Sequence, residues 1–164
     1  AESWWDEAIW VTGLKWSGLG PDGRIDTWIE GHHAGLRPHT HHQFQDGLTV
    51  DDRVFGDPLG PLASSWQSGI AWTGTEDILQ VELFREVYSG DDWENEGTPF
   101  QWVRVKNNPD EIRLRIITNW TRNHEMSELQ TSVRFGYEHV TRFDFTDVNR
   151  SNYMAQVRFT WVPN

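Results

Sequence analysis

Apolar and polar residues alternate along one stretch of about ten residues after another, and this rhythm narrows the possible folds more than any other feature. Successive side chains of an extended strand point to opposite faces, so a period of two sorts them onto the two sides of a sheet. In the final stretch Tyr153, Ala155, Val157, Phe159 and Trp161 share one parity, and Met154, Gln156, Arg158 and Thr160 share the other. Helical periodicity is scarce, and turn signals such as "GPDGR" and "GTED" punctuate the alternation.

The pattern predicts eight strands: Ala8–Leu19, Arg24–Ala34, a weak one near His41–Gln45 extending toward Val54, Ser64–Thr73, Ile78–Ser89, Glu111–Arg122, Glu128–Phe143 and Tyr153–Trp161. Short connections follow the first, fourth and sixth strands, and long polar ones follow the second, fifth and seventh. An up-and-down barrel with tight turns at one rim and long loops at the other has this rhythm. The apolar faces run about 9–11 residues, the length that crosses a bilayer when tilted, whereas strands of globular proteins average about 5–6. Aromatic residues (Trp16, Trp66, Trp72, Trp120, Tyr137, Trp161) lie toward strand ends, as interfacial girdles require. The expected fold is all-β: an antiparallel up-and-down transmembrane β-barrel of about eight strands in a single domain over residues 1–164, complete or part of a larger barrel. A soluble β-sandwich is the alternative.

Composition supports this and removes other classes. There is no cysteine, hence neither a disulfide framework nor a thiolate metal site. The net charge of −11 argues against nucleic acid as a partner. Ten of the 14 cations fall in residues 83–164, so any basic surface must come from that half. No apolar run approaches the roughly 18 residues of a transmembrane helix. "AESWW" fits a mature terminus left by cleavage or the start of a fragment.

Strand parity places Arg113, Arg115, Arg134 and Arg158 on the face opposite the apolar one, together with Asp26, Glu30, Glu82, Glu86 and Glu138. Two readings follow. The arginines form a track for an anionic saccharide, because a guanidinium presents a fork of donors to carboxylate or sulfate. Alternatively they neutralise the carboxylates and fill a narrow lumen, with Glu138 near Arg134 on the same strand. In the longest connection Trp93 and Trp102 are candidates for stacking on pyranose rings. The histidine-rich "GHHAGLRPHTHH" makes His32, His39 and His41 an alternative metal set, although no metal or other cofactor is expected. None of the nucleophile-elbow, P-loop, zincin and dinucleotide fingerprints is present, so a non-catalytic protein is expected.

The segment "HHQFQDGLTVDDRVFGDPLGPLASSWQSGIAW" resembles part of the capsule assembly protein Wzi family, through Phe44, Asp46 and Gly47, then Arg53, Val54, Gly56, Pro58, Leu59 and Gly60. Asp57 stands where the family tends to have His. "DTWIEGHHAG" is similar to a family strand with a conspicuous acid, here Glu30. The resemblance implies the C-terminal portion of a longer barrel in the outer membrane of a Gram-negative envelope. It further implies a lectin that retains capsular polysaccharide, with Glu30 and Arg53 among its contacts. The partners expected are therefore polysaccharide and lipid bilayer or detergent, with the oligomeric state open. Other functions consistent with the sequence are a porin-like channel for anionic oligosaccharides and a secreted β-sandwich carbohydrate-binding module or lyase.

Overall fold

The computed structural model describes residues 8–35, 49–50, 53–54, 59, 62–95, 102–106, 108–124 and 129–161. Its elements are β1 (Ile9–Leu19), β2 (Ile25–Ala34), β3 (Thr49–Val50), β4 (Arg53–Val54), β5 (Ala63–Thr73), β6 (Asp77–Tyr88), β7 (Asp91–Asn95), β8 (Trp102–Lys106), β9 (Glu111–His124), β10 (Leu129–Thr141) and β11 (Arg150–Trp161). The seven long strands form one sheet in the order β1-β2-β5-β6-β9-β10-β11, every neighbour antiparallel. It is a meander in which each strand pairs with the next long strand in sequence. The chain is therefore all-β and antiparallel, as the alternation predicted. Among the described residues no helix is long and apolar enough to cross a membrane.

The structure differs from expectation at several points. The sheet is open: β1 and β11 are its edges, and closure is not part of this structure. Two short hairpins, β3–β4 and β7–β8, lie inside the long connections. The weak strand near His41–Gln45 lies outside the described residues. In addition β10 stops at Thr141 because Arg142 adopts a left-handed backbone (φ 58°), which opens the turn around Phe143–Phe145. The tight connections gather at one end of the sheet. The glycines of the β1–β2 turn, Gly18, Gly20 and Gly23, all have positive φ, a conformation that costs glycine nothing.

Paired residues of an antiparallel ladder share a face, so the register assigns every strand position. One face carries the aligned set Leu14, Ile29, Leu83, Ile116, Tyr137 and Tyr153, and beside it Trp16, Ile70, Val81, Phe135 and Ala155. This face is exposed: Phe159 is 67%, Val157 60% and Phe135 50% accessible, and Leu14, Leu83 and Trp72 are exposed with them. The opposite, polar face holds the buried residues Ala34, Ala63, Ile117, Val140 and Glu111. Two depressions, of about 610 and 260 Å³, are lined mainly by residues of this face. A water-soluble sandwich does the reverse and buries its apolar faces against each other. Among the described residues no second layer covers the apolar face.

The apolar band has polar borders. At the end of the long connections it meets Arg85, His139 and Ser151, which are aligned across the sheet through Leu114. At the tight-turn end it meets Asp77 and Arg122, which are directly opposite each other. Here the Trp120 Nε1–H donates to Asp77 Oδ1 at 3.1 Å, and Arg122 pairs with Glu76 at 3.0 Å. Arg85 and Asp77 are separated by eight residues on β6, about 27 Å of strand and about 20 Å of depth at a tilt near 40°.

Candidate functional site

The polar face is built from aligned rows. One row runs Asp26, Ala71, Gln80, Asn119, Arg134, Gln156 from β2 to β11. The next, toward the long connections, runs Lys15, Trp28, Gly69, Glu82, Ile117, Gly136, Met154. Small residues in these rows leave room for large neighbours. A Cβ added at Gly69 would fall inside the Trp28 indole, so this glycine is what lets the ring lie flat across β5. Trp28, Lys15, Asp26 and Glu30 line the 610 Å³ depression with Gln80 at its far side. Lys15 pairs with Asp26 at 3.5 Å, and Asp26 also accepts the Gly18 N–H at 3.0 Å.

The four arginines placed on this face by parity are all there, but they divide into two pairs. Toward the long connections Arg115 pairs with Glu86 at 2.7 Å and lies over the Phe84 ring at 4.7 Å. Glu86 also accepts the Tyr88 hydroxyl at 3.1 Å. Arg113 pairs with Glu111 at 2.6 Å and lies over Tyr88 at 4.7 Å. Glu111, only 3% accessible, uses its other oxygen to accept the Asp144 N–H at 2.6 Å, tying β9 to the β10–β11 turn. Arg113 and Arg115 thus neutralise carboxylates and stiffen one end of the face.

Arg134 and Arg158 are different. Both line the 260 Å³ depression with Gln80, Glu82, Asn119, Ser132 and Gln156, and among the described residues neither forms an ion pair. The pairing of Glu138 with Arg134 does not form. Four residues along one strand span about 13 Å, whereas residues opposite each other across strands are about 5 Å apart. Glu138 therefore takes its cross-strand neighbour and accepts the Asn152 amide at 2.9 Å. Arg134 lies opposite Gln156, and Arg158 opposite Ser132, whose hydroxyl is already engaged with Asn119 at 3.2 Å.

The other expected residues scatter. Glu30 is on the polar face beside Trp28's depression, opposite Gln67 on β5. His32 and His33 lie on opposite faces, opposite Ser65 and Ser64, so the two cannot chelate together. His39 and His41 fall outside the described residues. Among the described residues no three His, Cys, Asp or Glu side chains are arranged to hold a metal ion. Arg53 pairs with Val50 in the β3–β4 hairpin, and only its backbone is described. Trp93 and Trp102 belong to the β7–β8 hairpin, opposite Arg104 and Asn95, and the register places positions 93 and 102 on one face of that ribbon. Sequence reasoning did not single out Trp28 as a site residue. Its signal was available: an indole at polar parity, between Asp26 and Glu30.

Comparison with protein-family models, with curated proteins and with solved structures finds no match to this chain. What the fold and site define is a class: an antiparallel β-protein built on one seven-stranded sheet, with an exposed apolar face and a polar face that carries two depressions. Within it, the particular feature of this chain is a pair of neighbouring depressions, one lined by an indole and the other by two guanidinium groups that form no ion pair among the described residues.

Proposed function

We propose that this chain forms part of the wall of an outer-membrane β-barrel in a Gram-negative envelope. Its polar face holds a surface polysaccharide without transforming it. The observation that carries this reading is the exposure of the apolar face over all seven long strands. In water such a face is a large contiguous hydrophobic patch, well beyond what monomeric soluble proteins expose. In hydrocarbon it is at home, and its depth of about 20 Å suits the apolar band of about 25 Å in outer-membrane barrels. Trp16, Trp72, Trp120 and Trp161 lie toward the tight-turn end of their strands, where an interfacial girdle belongs.

A barrel leaves no unpaired backbone in the bilayer, so the open edges of β1 and β11 require partners. Seven strands leave those edges running in the same direction. An odd number of further strands closes the sheet with antiparallel seams throughout, in keeping with the even strand counts of bacterial barrels. The resemblance of the segment around Phe44–Gly60 to the Wzi family points toward such a larger barrel and toward polysaccharide. The groups presented by the polar face are guanidiniums, amides, carboxylates and an indole, which hold sugar hydroxyls, acid groups and ring faces. Several weak contacts along a repeating polymer add through avidity.

The test is the behaviour of the chain during purification. It should require detergent or lipid to remain monodisperse, and size-exclusion chromatography with light scattering reads this directly. A monodisperse species in plain buffer contradicts the membrane reading.

A further inference from the structure

We propose that the polar face carries one continuous groove for an acidic oligosaccharide. Arg134 and Arg158 clamp a sugar acid group at one end, and Trp28 supports the face of another ring at the other. The inference rests on the polysaccharide reading above and specifies its ligand and its contacts.

Three observations support it. First, charge on this face is neutralised selectively. Glu86 and Glu111 are held by Arg115 and Arg113, whereas among the described residues Arg134 and Arg158 form no ion pair in their depression. Two guanidiniums that outnumber the one carboxylate of that depression, Glu82, and lie beside neutral amides suit a carboxylate or sulfate. Second, Trp28 is an indole laid across Gly69 in a depression of about 610 Å³, flanked by Asp26 and Glu30. A flat aromatic with carboxylates at its margin offers a sugar a stacking surface and acceptors for its hydroxyls. Phe84 and Tyr88, the other aromatics of this face, are covered by Arg115 and Arg113. Third, the two depressions are neighbours on the polar face. Gln80 lines both, and it lies in the same aligned row as Asp26 and Arg134. From β2 to β10 is four strand spacings, about 19 Å along the sheet, the reach of an oligosaccharide rather than a monosaccharide.

The experiment uses the full chain in detergent micelles and isothermal titration. The probes are a galacturonate hexamer and the same hexamer with its carboxyls reduced to hydroxymethyl groups. Wild type should bind the acidic hexamer at least tenfold more tightly, with an affinity that falls as salt is raised. Arg134→Gln and Arg158→Gln should each weaken the acidic hexamer about tenfold and leave the reduced one unchanged. Trp28→Ala should weaken both hexamers by a similar factor, and Trp28→Phe should restore most of the loss. Heat-modifiable migration on gels confirms that each variant is folded.

Unchanged affinity in the arginine variants overturns the acid clamp while leaving saccharide binding in place. Unchanged affinity in Trp28→Ala overturns the stacking end. Inorganic phosphate competing as well as the hexamer at equal concentration reduces the clamp to a simple anion site and overturns the proposal. Failure of wild type to bind either hexamer removes the polysaccharide reading itself.

Discussion

Val157→Arg and Gln156→Arg are neighbours in sequence on opposite faces, and they should behave differently. Val157 is on the apolar face opposite Val133 and is 60% accessible, so nothing in the sheet covers it, and on the proposed membrane reading it meets lipid. Gln156 lies opposite Arg134 and faces the groove. Val157 is four residues from Trp161, about 13 Å along the strand and about 10 Å below the girdle at a tilt near 40°. That places it close to the middle of a band about 25 Å tall. An arginine there costs about 2–4 kcal/mol, a factor of about 30 to 1,000 in the folding equilibrium. Gln156→Arg brings a second cation beside Arg134 in a wet groove and should cost under about 1 kcal/mol in bilayer folding. Reversible folding into lipid vesicles across a urea series measures both. Equal costs for the two variants, or a neutral Val157→Arg, refute the assignment of faces.

Further substitutions test the interior of the account. Gly69→Val forces the Trp28 ring off β5 and should destabilise by about 1–3 kcal/mol, read as a lower urea midpoint together with weaker saccharide binding. Glu111→Ala strips Arg113 and the Asp144 N–H of their acceptor and should cost about 2–3 kcal/mol, with faster proteolysis at the β10–β11 turn; Glu111→Gln should cost less. Trp120→Phe removes the indole bond to Asp77 and should cost about 1 kcal/mol by the same urea measurement, whereas a neutral result would show that the border bond contributes nothing.

Most of the sheet was legible because period-two alternation is a local signal that the tertiary structure reinforces. The strand predicted over Glu111–Arg122 is observed over Glu111–His124, and the parity of Val133, Phe135, Val157 and Phe159 matches the observed face. What was hidden depended on partners. The start of β11 at Arg150 rather than Tyr153 was hidden because "RSN" has turn-forming residues, yet Ser151 and Asn152 pair with His139 and Glu138. The β7–β8 hairpin was missed because "DDWEN" has poor strand propensity, and its pairing with "WVRVK" is not visible locally. The division of the arginines depended on register. Arg115 lies beside Glu86's row, whereas Arg134 meets Gln156 and Asn119. Trp28 was passed over because the indoles were considered for girdles and loop stacking, and only the register shows this one standing over Gly69.

The most direct test of the proposal that this sheet faces a membrane is a spin-label scan of positions 151–161 in lipid bilayers, read by collision with oxygen and with a water-soluble nickel chelate. The account predicts a period of two: labels at 153, 155, 157 and 159 meet oxygen and escape nickel, and labels at 152, 154, 156 and 158 meet nickel. Odd-numbered labels that neither reagent reaches would place this face inside protein and contradict the account.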